Sequence, residues 1–275
     1  MEHKNENLYS EEQLERFAKA VQMLSYDHGD TCEDYVAEHH GSGVFVLFNG
    51  YLFFLCTKHS FHSDGKVANP QIEDYDSLCF FKDSGILQKP KYTRIVPFVK
   101  NKNATHIPEE DVLIYLIDPS WEDYQVYKES AAIINSREAY NALARHDFHA
   151  FFCGYPTQHG GNVDYEAHTV HQEKKGRYAL VETPQKEPNF ISAKIDVSGF
   201  VKEPSQKEEF SMNGMSGGGL FTCTNNNSSL FLGMCLAGTV ESKRAHFLSV
   251  YYIEFMLSEY LKGENVVVSS TVPNT

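Results

Sequence analysis

A single serine lies in a glycine-rich stretch of the chain, residues 212–221, with the sequence MNGMSGGGLF. Ser216 follows Gly214 by two residues and is itself followed by three glycines. Glycine weakens a strand, and an ordinary turn does not need so many glycines. The stretch is therefore either an irregular loop or a backbone bend that points N–H groups toward one place near the Ser216 hydroxyl. The second interpretation suits a nucleophilic serine, because acyl transfer produces an oxyanion that needs such donors.

Residues 214–218 also match the G-x-S-x-G motif that carries the nucleophile of α/β-hydrolases. That fold requires an acidic residue and then a histidine after the serine. No aspartate follows Ser216, the only later histidine is His246, and Glu241 precedes that histidine by only five residues. A pattern of alternating strands and helices is missing as well, so we exclude this fold.

A histidine and an aspartate upstream of Ser216 offer a different arrangement. His59 stands at the end of the apolar run FFLC, and Asp111 stands at the start of the apolar run VLIYLI. The chain order is histidine, aspartate, serine, which is one of the orders in which a Ser–His–Asp triad occurs.

Six motifs in this order resemble the trypsin-like serine proteases of the chymotrypsin fold, in particular an intracellular bacterial-type member. GSGVFV at residues 41–46 is similar to the first-barrel strand of that family, LCTKHSF to its histidine motif and DVLIYLI to its aspartate motif. CGYP is similar to a second-barrel strand, NGMSGGGLF to the serine motif, and FLGMCLAG to the strand that lines the substrate cleft. The resemblance covers about residues 41–255 and rests on the order of all the motifs.

The resemblance implies an all-β fold of two six-stranded antiparallel β-barrels of chymotrypsin type, with peripheral helices at the N- and C-terminal ends. Residues 1–40 would form an N-terminal helical extension, and residues 41–275 would form the protease domain. Within that domain the first barrel would cover about residues 41–120, the second about 148–255, and the C-terminal helix about 251–263.

The resemblance assigns catalytic roles to His59, Asp111 and Ser216. Ser216 would be the nucleophile, His59 would take its proton and return it to the leaving amine, and Asp111 would hold His59 in the correct tautomer. The oxyanion hole would consist of the backbone N–H groups of Gly214 and Ser216.

Other residues compete for the histidine and aspartate roles. His62 forms a metal-like pair with His59 in HSFH, but no carboxylate-rich ligand set accompanies it. Structural roles are expected for His62 and for the adjacent His39 and His40. Asp111 is preferred because it precedes an apolar strand as the family pattern demands. The rival acids, for which surface positions are expected, are Asp64, Asp74, Asp76 and Asp118.

The resemblance also places a substrate pocket at Phe210, Cys235, Leu236 and Ala237. Phe210, six residues before Ser216, would form its floor. A pocket without an acid there would prefer small or hydrophobic side chains before the cleaved bond. A shift of one residue would bring Glu209 to the floor and make the pocket select Lys or Arg.

Three positions depart from the family pattern. Gly219 replaces the usual proline after the glycine pair, which touches no catalytic atom, and the other two departures are Met215 and Ser60. Met215 stands where the secreted members carry an aspartate that pairs with a newly cut N-terminus, so this activation switch would be absent. Ser60 stands where they have a disulfide cysteine, which fits a reducing compartment.

Local patterns predict the elements that must position these residues. Residues 10–24 combine a capping box at Ser10 and Gln13 with an apolar helical face that extends to Leu24. Asn49-Gly50 between two apolar runs predicts a hairpin. Helical patterns also occur in SREAYNALARHD and YYIEFMLSEYLKG, and the tail from residue 263 would be frayed. The other predicted strands are YTRIVPF, DVLIYLI, HAFFCGYP, GRYALVE, FISAKIDV, GGGLFTC and LFLGMCLAGTV.

Composition restricts the class of protein further. The chain has 275 residues, a net charge of -13 and no cluster of basic residues, so nucleic-acid binding is not expected. No apolar run reaches membrane-spanning length and the first residues lack a signal-peptide core, so we expect a cytoplasmic protein without a membrane partner. The cysteines lack CxxC spacing, which predicts buried reduced thiols rather than a zinc site or disulfides. They are Cys32, Cys56, Cys79, Cys153, Cys223 and Cys235.

These observations together predict a serine endopeptidase that acts on a limited set of polypeptide substrates, with no cofactor and no metal. A regulatory protein partner is left open. The alternatives are a non-catalytic protein-binding module on a protease fold, and an esterase, because the same triad cleaves activated esters.

Overall fold

A computed structural model describes most of the chain and shows a predominantly β protein. The described residues are 11–26, 38–61, 78–81, 87–96, 111–144, 150–156, 163–164, 169–170, 176–179, 185–186, 189–196, 212–223, 229–239, 241–262 and 267–269. Their helices are α1 (Glu11–Ala20), α2 (Tyr124–Ser130), α3 (Ser136–Leu143) and α4 (Val250–Leu261), and a 3-10 turn covers Lys58–Phe61. The prediction of an all-β fold is confirmed at this level.

The strands are numbered in chain order. The first are β1 (Val21–Tyr26), β2 (Glu38–Phe48), β3 (Tyr51–Thr57), β4 (Leu78–Phe81), β5 (Leu87–Gln88), β6 (Tyr92–Val96), β7 (Val112–Ile117) and β8 (Ala132–Ile133). The next are β9 (Phe151–Gly154), β10 (Val163–Asp164), β11 (Thr169–Val170), β12 (Gly176–Ala179) and β13 (Gln185–Lys186). The last are β14 (Phe190–Lys194), β15 (Gly219–Cys223), β16 (Ser229–Thr239), β17 (Arg244–Ser249) and β18 (Val267–Ser269). Each strand predicted from a sequence motif is present.

Two groups of antiparallel strands meet at β8. In the first group β2, β3, β7 and β6 follow one another, β1 lies between β2 and β4, β5 pairs with β4, and β18 pairs with β6. In the second group β12, β9, β15, β16, β17, β14 and β13 are neighbours in that order. The short strand β8 pairs in parallel with both β2 and β16. The two groups therefore form one mixed sheet, and the small pair β10–β11 lies apart from it.

The predicted hairpin at Asn49-Gly50 is confirmed. Both turn residues have positive φ, 50° and 84°, and Phe48 pairs with Tyr51 across the turn. Asparagine and glycine tolerate this conformation better than other residues, so the turn fixes the register of β2 against β3.

Strands β2, β3 and β7 are buried on both faces. In β3, Phe53 and Leu55 belong to the larger apolar core, which also contains residues of the second strand group. Leu52, Phe54 and Cys56 point instead into a smaller core around Trp121. A strand that is buried on both faces has no polar side, which explains the continuous apolar runs of the sequence.

Two terminal segments differ from the predictions. Helix α1 ends at Ala20, and the next residues form β1 rather than extending the helix to Leu24. Val21 pairs with Val44 and Leu24 with Gly41, so pairing with β2 overrides the local helical pattern. The predicted cap residue Ser10 lies outside the described residues. In the tail, which was expected to be frayed, β18 pairs with β6.

The helices in the described part of the chain include none that is both long and apolar enough to cross a membrane.

Candidate active site

His59 and Asp111 meet where β3 ends and β7 begins. His59 lies in the 3-10 turn after β3, Asp111 directly precedes β7, and the two antiparallel strands pair Thr57 with Val112. Asp111 Oδ2 lies 2.5 Å from His59 Nδ1, and Asp111 Oδ1 accepts a hydrogen bond from the His59 backbone N–H at 3.0 Å. One carboxylate thus holds both the ring and the backbone of one histidine.

This contact determines which nitrogen of the ring is available. A carboxylate only accepts hydrogen bonds, so the Nδ1 that faces Asp111 carries a proton, and in the neutral ring Nε2 keeps a lone pair. The His59 side chain is 50% exposed and that of Asp111 27%. The pair can therefore receive a proton at His59 Nε2 while Asp111 stabilises the resulting imidazolium.

Asp118, the described rival of Asp111, has a different environment at the far end of β7. Its Oδ1 accepts a hydrogen bond from the Ser120 backbone N–H at 2.7 Å. Hydrogen bonds from the backbone and side chain of Ser120 lower the pKa of Asp118, and Lys91 contributes to the same effect. Asp118 is a turn residue and does not accompany His59.

The loop that carries Ser216, residues 212–218, is called the serine loop and is hydrogen-bonded to both strand groups. The Ser216 carbonyl oxygen accepts a hydrogen bond from the Ser42 N–H of β2 at 3.0 Å, and the Gly217 N–H donates to the Cys235 carbonyl of β16 at 2.8 Å. Gly217 has a φ of 85°, and a Cβ there would lie 1.9 Å from the Ser42 carbonyl oxygen and 3.4 Å from Cys56 Cα. Only glycine fits this approach, which brings the serine loop against β3, the strand that ends two residues before His59.

Alternate amide groups of the serine loop are used by the protein. The N–H groups of Met215 and Gly218 donate to the Met212 and Met215 carbonyl oxygens at 3.1 and 3.0 Å. The N–H groups of Gly214 and Ser216 have no acceptor among the residues that the structure describes. Gly214 has a φ of 79°, so its backbone also requires glycine. The two amides on either side of Met215 therefore lack an acceptor in the described part of the chain, and an oxyanion hole at Gly214 and Ser216 would require such amides.

The Ser216 hydroxyl does not donate to His59 in this conformation. Its Oγ donates to the Leu236 carbonyl oxygen at 3.2 Å. Leu236 lies where the register of β16 against β17 shifts, between Cys235 and Ala237. A rotation about one side-chain torsion redirects a serine hydroxyl, and catalytic hydrogen bonds commonly tighten only when substrate is bound.

The residues expected to line the pocket are only partly described. Cys235 and Leu236 are buried and Ala237 is exposed, whereas Phe210 and Glu209 lie outside the described residues. Sequence reasoning missed Met212, which is buried beside Gly238: a Cβ at Gly238 would lie 2.2 Å from Met212 Cε. In the sequence, Met212 could have been identified as an apolar residue between Phe210 and Ser216.

The cysteines with described side chains are unsuited to replace the serine as nucleophile. Cys56, Cys79, Cys153 and Cys235 are buried and form no disulfide. Burial, reinforced by the nearby Asp111 carboxylate, raises the pKa of Cys56 well above its usual value, and burial raises the pKa of Cys235. Both groups are therefore neutral thiols, and the reactive form of cysteine is the thiolate. Cys32 and the Cys223 side chain lie outside the described part.

The remaining candidates from the sequence divide into described and undescribed residues. Ser60 is buried, and its hydroxyl shares a hydrogen bond of 2.6 Å with Thr57. Met215 is fully buried. His39 and His40 lie in β2, but the orientation of their side chains is not described. Outside the described residues lie His62, Asp64, Asp74 and Asp76. Among the described side chains no group of three or more metal-binding residues occurs.

The sequence matches no protein-family model, and no curated protein matches it significantly.

Proposed function

We propose that this protein is a serine endopeptidase in which Ser216, His59 and Asp111 form the catalytic triad. The observation that carries the proposal is the double contact of Asp111 with the ring and backbone of His59. A surface ion pair does not need this arrangement, whereas a general base needs it to keep Nε2 unprotonated and correctly oriented.

The reaction follows from the roles of the side chains. Ser216 Oγ attacks the carbonyl carbon of the peptide bond while His59 Nε2 takes the hydroxyl proton. The carbonyl oxygen becomes an oxyanion and accepts hydrogen bonds from the Gly214 and Ser216 N–H groups. The C–N bond then breaks, the amine leaves with the proton from His59, and an ester to Ser216 remains. Water, deprotonated by the same histidine, hydrolyses that ester and restores the serine.

We further propose that the two antiparallel strand groups correspond to the two barrels of the chymotrypsin fold. The distribution of the site supports this: His59 and Asp111 belong to the first group, and the Ser216 loop leads into β15 of the second. We infer that the part of β16 that extends beyond its pairing with β15 binds an extended substrate. Register pairing between the two strands stops at Met234, so the far end of β16 has one edge without a strand partner among the described residues.

One contact favours the alternative of a non-catalytic binding module. The Ser216 hydroxyl donates to Leu236 rather than to His59, and a module that never cleaves would keep it there. The two functions predict opposite outcomes with a reagent that reacts only with activated serine.

A fluorophosphonate probe provides the test. The wild-type protein should become labelled at Ser216, and Ser216→Ala should abolish the labelling. Ser229→Ala is the control, because it removes a different serine hydroxyl, which is buried in β16, and should leave labelling unchanged. A folded wild-type protein that resists the probe under all conditions would contradict the enzyme and support the binding module. Labelled protein that cleaves esters but no peptide in a peptide library would instead support the esterase.

A further inference from the structure

Ser42 of β2 contacts the serine loop through both its side chain and its backbone. Its side chain is fully buried near the start of β2. Ser42 Oγ donates a hydrogen bond to the Gly214 carbonyl oxygen at 2.7 Å and accepts one from the Tyr155 N–H at 2.8 Å. The Ser42 N–H donates to the Ser216 carbonyl oxygen at 3.0 Å. One small residue therefore holds two carbonyl groups of the loop and also the chain just after β9.

These hydrogen bonds fix two peptide planes on either side of the Ser216 N–H. The Gly214 carbonyl shares a rigid plane with the Met215 N–H, which donates to the Met212 carbonyl oxygen. The Ser216 carbonyl shares a plane with the Gly217 N–H, which donates to the Cys235 carbonyl oxygen. Both planes are thus held at both ends, and Ser42 supplies one end of each. The peptide between them carries the Ser216 N–H, so its orientation is restricted too.

The contacts around this hydroxyl involve uncharged groups. The Met215 side chain is buried, and a Cβ at Gly154 would lie 3.0 Å from the Met215 Sδ and 3.2 Å from Ser42 Oγ. The hydroxyl therefore joins β2, the end of β9 and the serine loop in a buried, closely packed region. In such a region the loss of one partner leaves others unsatisfied, so a polar contact is costly to remove.

We propose that Ser42 is a positioning residue. Its hydroxyl keeps the Gly214 and Ser216 N–H groups available to the oxyanion before substrate binds. The inference rests on the proposed serine protease function. The proposed role explains why neutral hydrogen bonds already order the loop. Ser42 holds the carbonyl groups of Gly214 and Ser216, and the buried Met215 lies between these two residues.

The test measures turnover, KM and probe labelling for wild type, Ser42→Ala and the control Ser229→Ala. Ser229 Oγ is buried and has no hydrogen-bond partner among the described residues, so its removal takes away a hydroxyl of equal size without a tether. Removing an oxyanion donor outright costs about 100- to 1000-fold in turnover. Misorienting the donors should cost less, so we expect Ser42→Ala to lower kcat about 10- to 100-fold with KM nearly unchanged, and Ser229→Ala to change neither.

The outcomes separate this inference from the proposed function. Wild type that is never labelled overturns the proposed function, and with it the role of Ser42. Labelled wild type together with a fully active, folded Ser42→Ala overturns only the inference. A Ser42→Ala protein that raises KM but keeps kcat also overturns it, because the residue would then affect substrate binding alone. If Ser42→Ala fails to fold, Ser42→Cys keeps the size but has a weaker donor and acceptor, and it must still lower kcat.

Discussion

At the scale of single residues, the geometry of this site depends on which acid accompanies the histidine. Asp111 contacts both the ring and the backbone of His59, whereas Asp118 bonds to Ser120 in a turn at the opposite end of the same strand. Both aspartates border the apolar run VLIYLI, so the sequence offers two similar choices. The strand direction decides between them, because only the residue before β7 lies beside the end of β3.

Substitutions of the triad should lower turnover by amounts that reflect these roles. Ser216→Ala and His59→Ala should each cost about a million-fold in kcat, the loss seen when either group is removed from another serine protease. Asp111→Asn should cost about ten-thousand-fold with the fold retained, because the ring can then adopt the wrong tautomer. Steady-state kinetics on one peptide substrate, with circular dichroism for the fold, checks both values.

The matched controls for this series are Asp118→Asn and His246→Ala. Each removes the same chemical group at a described position away from the His59–Asp111 pair. Full activity of Asp111→Asn combined with an inactive Asp118→Asn would reverse the assignment of the aspartate.

Asp118 should instead affect stability, and in a pH-dependent way. Its pKa is lowered in the folded protein from an ordinary value of 3.8, so the folded state binds the proton less readily than the unfolded state. The resulting stabilisation is present above that value and disappears as the pH falls through the folded-state pKa. Asp118→Asn should therefore lower the free energy of unfolding slightly at pH 7 and converge with wild type near pH 2, as measured by urea denaturation. A difference that grows toward acid pH would contradict the sign.

Substrate preference should be decided by apolar residues beside Ser216. Cys235 and Leu236 are buried, and Met212 packs against Gly238, so the described surroundings carry no acid that could bind Lys or Arg. Cleavage should follow small or hydrophobic residues, and Met212→Ala should admit larger ones by vacating space. A peptide library read by mass spectrometry checks both expectations. Cleavage mainly after Lys or Arg, abolished by Glu209→Gln, would show that the acidic neighbour forms the pocket.

At the scale of elements, the sequence predicted those turns and strands whose formation depends on neighbouring residues. Asn49-Gly50 fixed a hairpin, and continuous apolar runs identified β3, β7 and β16, because these strands have no polar face. Several elements were missed because their signals were weak or misleading: β8, for example, has only two residues, and β1 continues the helical pattern of α1. The hydrogen bond from Ser42 to Gly214 could not be predicted from the sequence. It joins residues 172 positions apart, and nothing in the sequence around Ser42 marks it.

The serine loop and the hairpin provide a matched pair of glycines for a test at this scale. Gly217 and Gly50 have nearly the same φ, 85° and 84°, but a Cβ at Gly217 would collide with the Ser42 carbonyl oxygen while Gly50 is surrounded by open space. Gly50→Ala should cost about 1–2 kcal/mol, from the backbone conformation alone, and should keep probe labelling. Gly217→Ala should cost more and should abolish labelling, because the loop must move away from β2. Thermal melting and the labelling rate measure the two effects, and equal behaviour of the two variants would refute the close approach.

At the scale of the whole molecule, the candidate site depends on how the two strand groups fit together. His59 and Asp111 come from the first group and Ser216 from the second, so the distance between histidine and serine is set by packing between the groups. The larger apolar core contains residues of both, such as Phe53 and Leu55 of β3 and Leu232 of β16. Strand β8 adds backbone pairing to each side.

The shared core predicts that both strand groups unfold together. Trp121 is the only tryptophan of the chain and reports on the first group, where its ring stacks on Tyr127 with centroids 5.1 Å apart. Phe247 is buried in β17 of the second group and contacts Phe152 edge to face. Phe247→Ala should cost about 3–5 kcal/mol by leaving a cavity, and in a cooperative molecule it should shift the fluorescence transition of Trp121 as much as the circular dichroism transition. Urea titrations of wild type and variant, followed by both signals, measure this. If the Trp121 transition stays in place while part of the dichroism is lost earlier, the groups are independent, and the position of His59 relative to Ser216 must then be fixed by substrate rather than by the core.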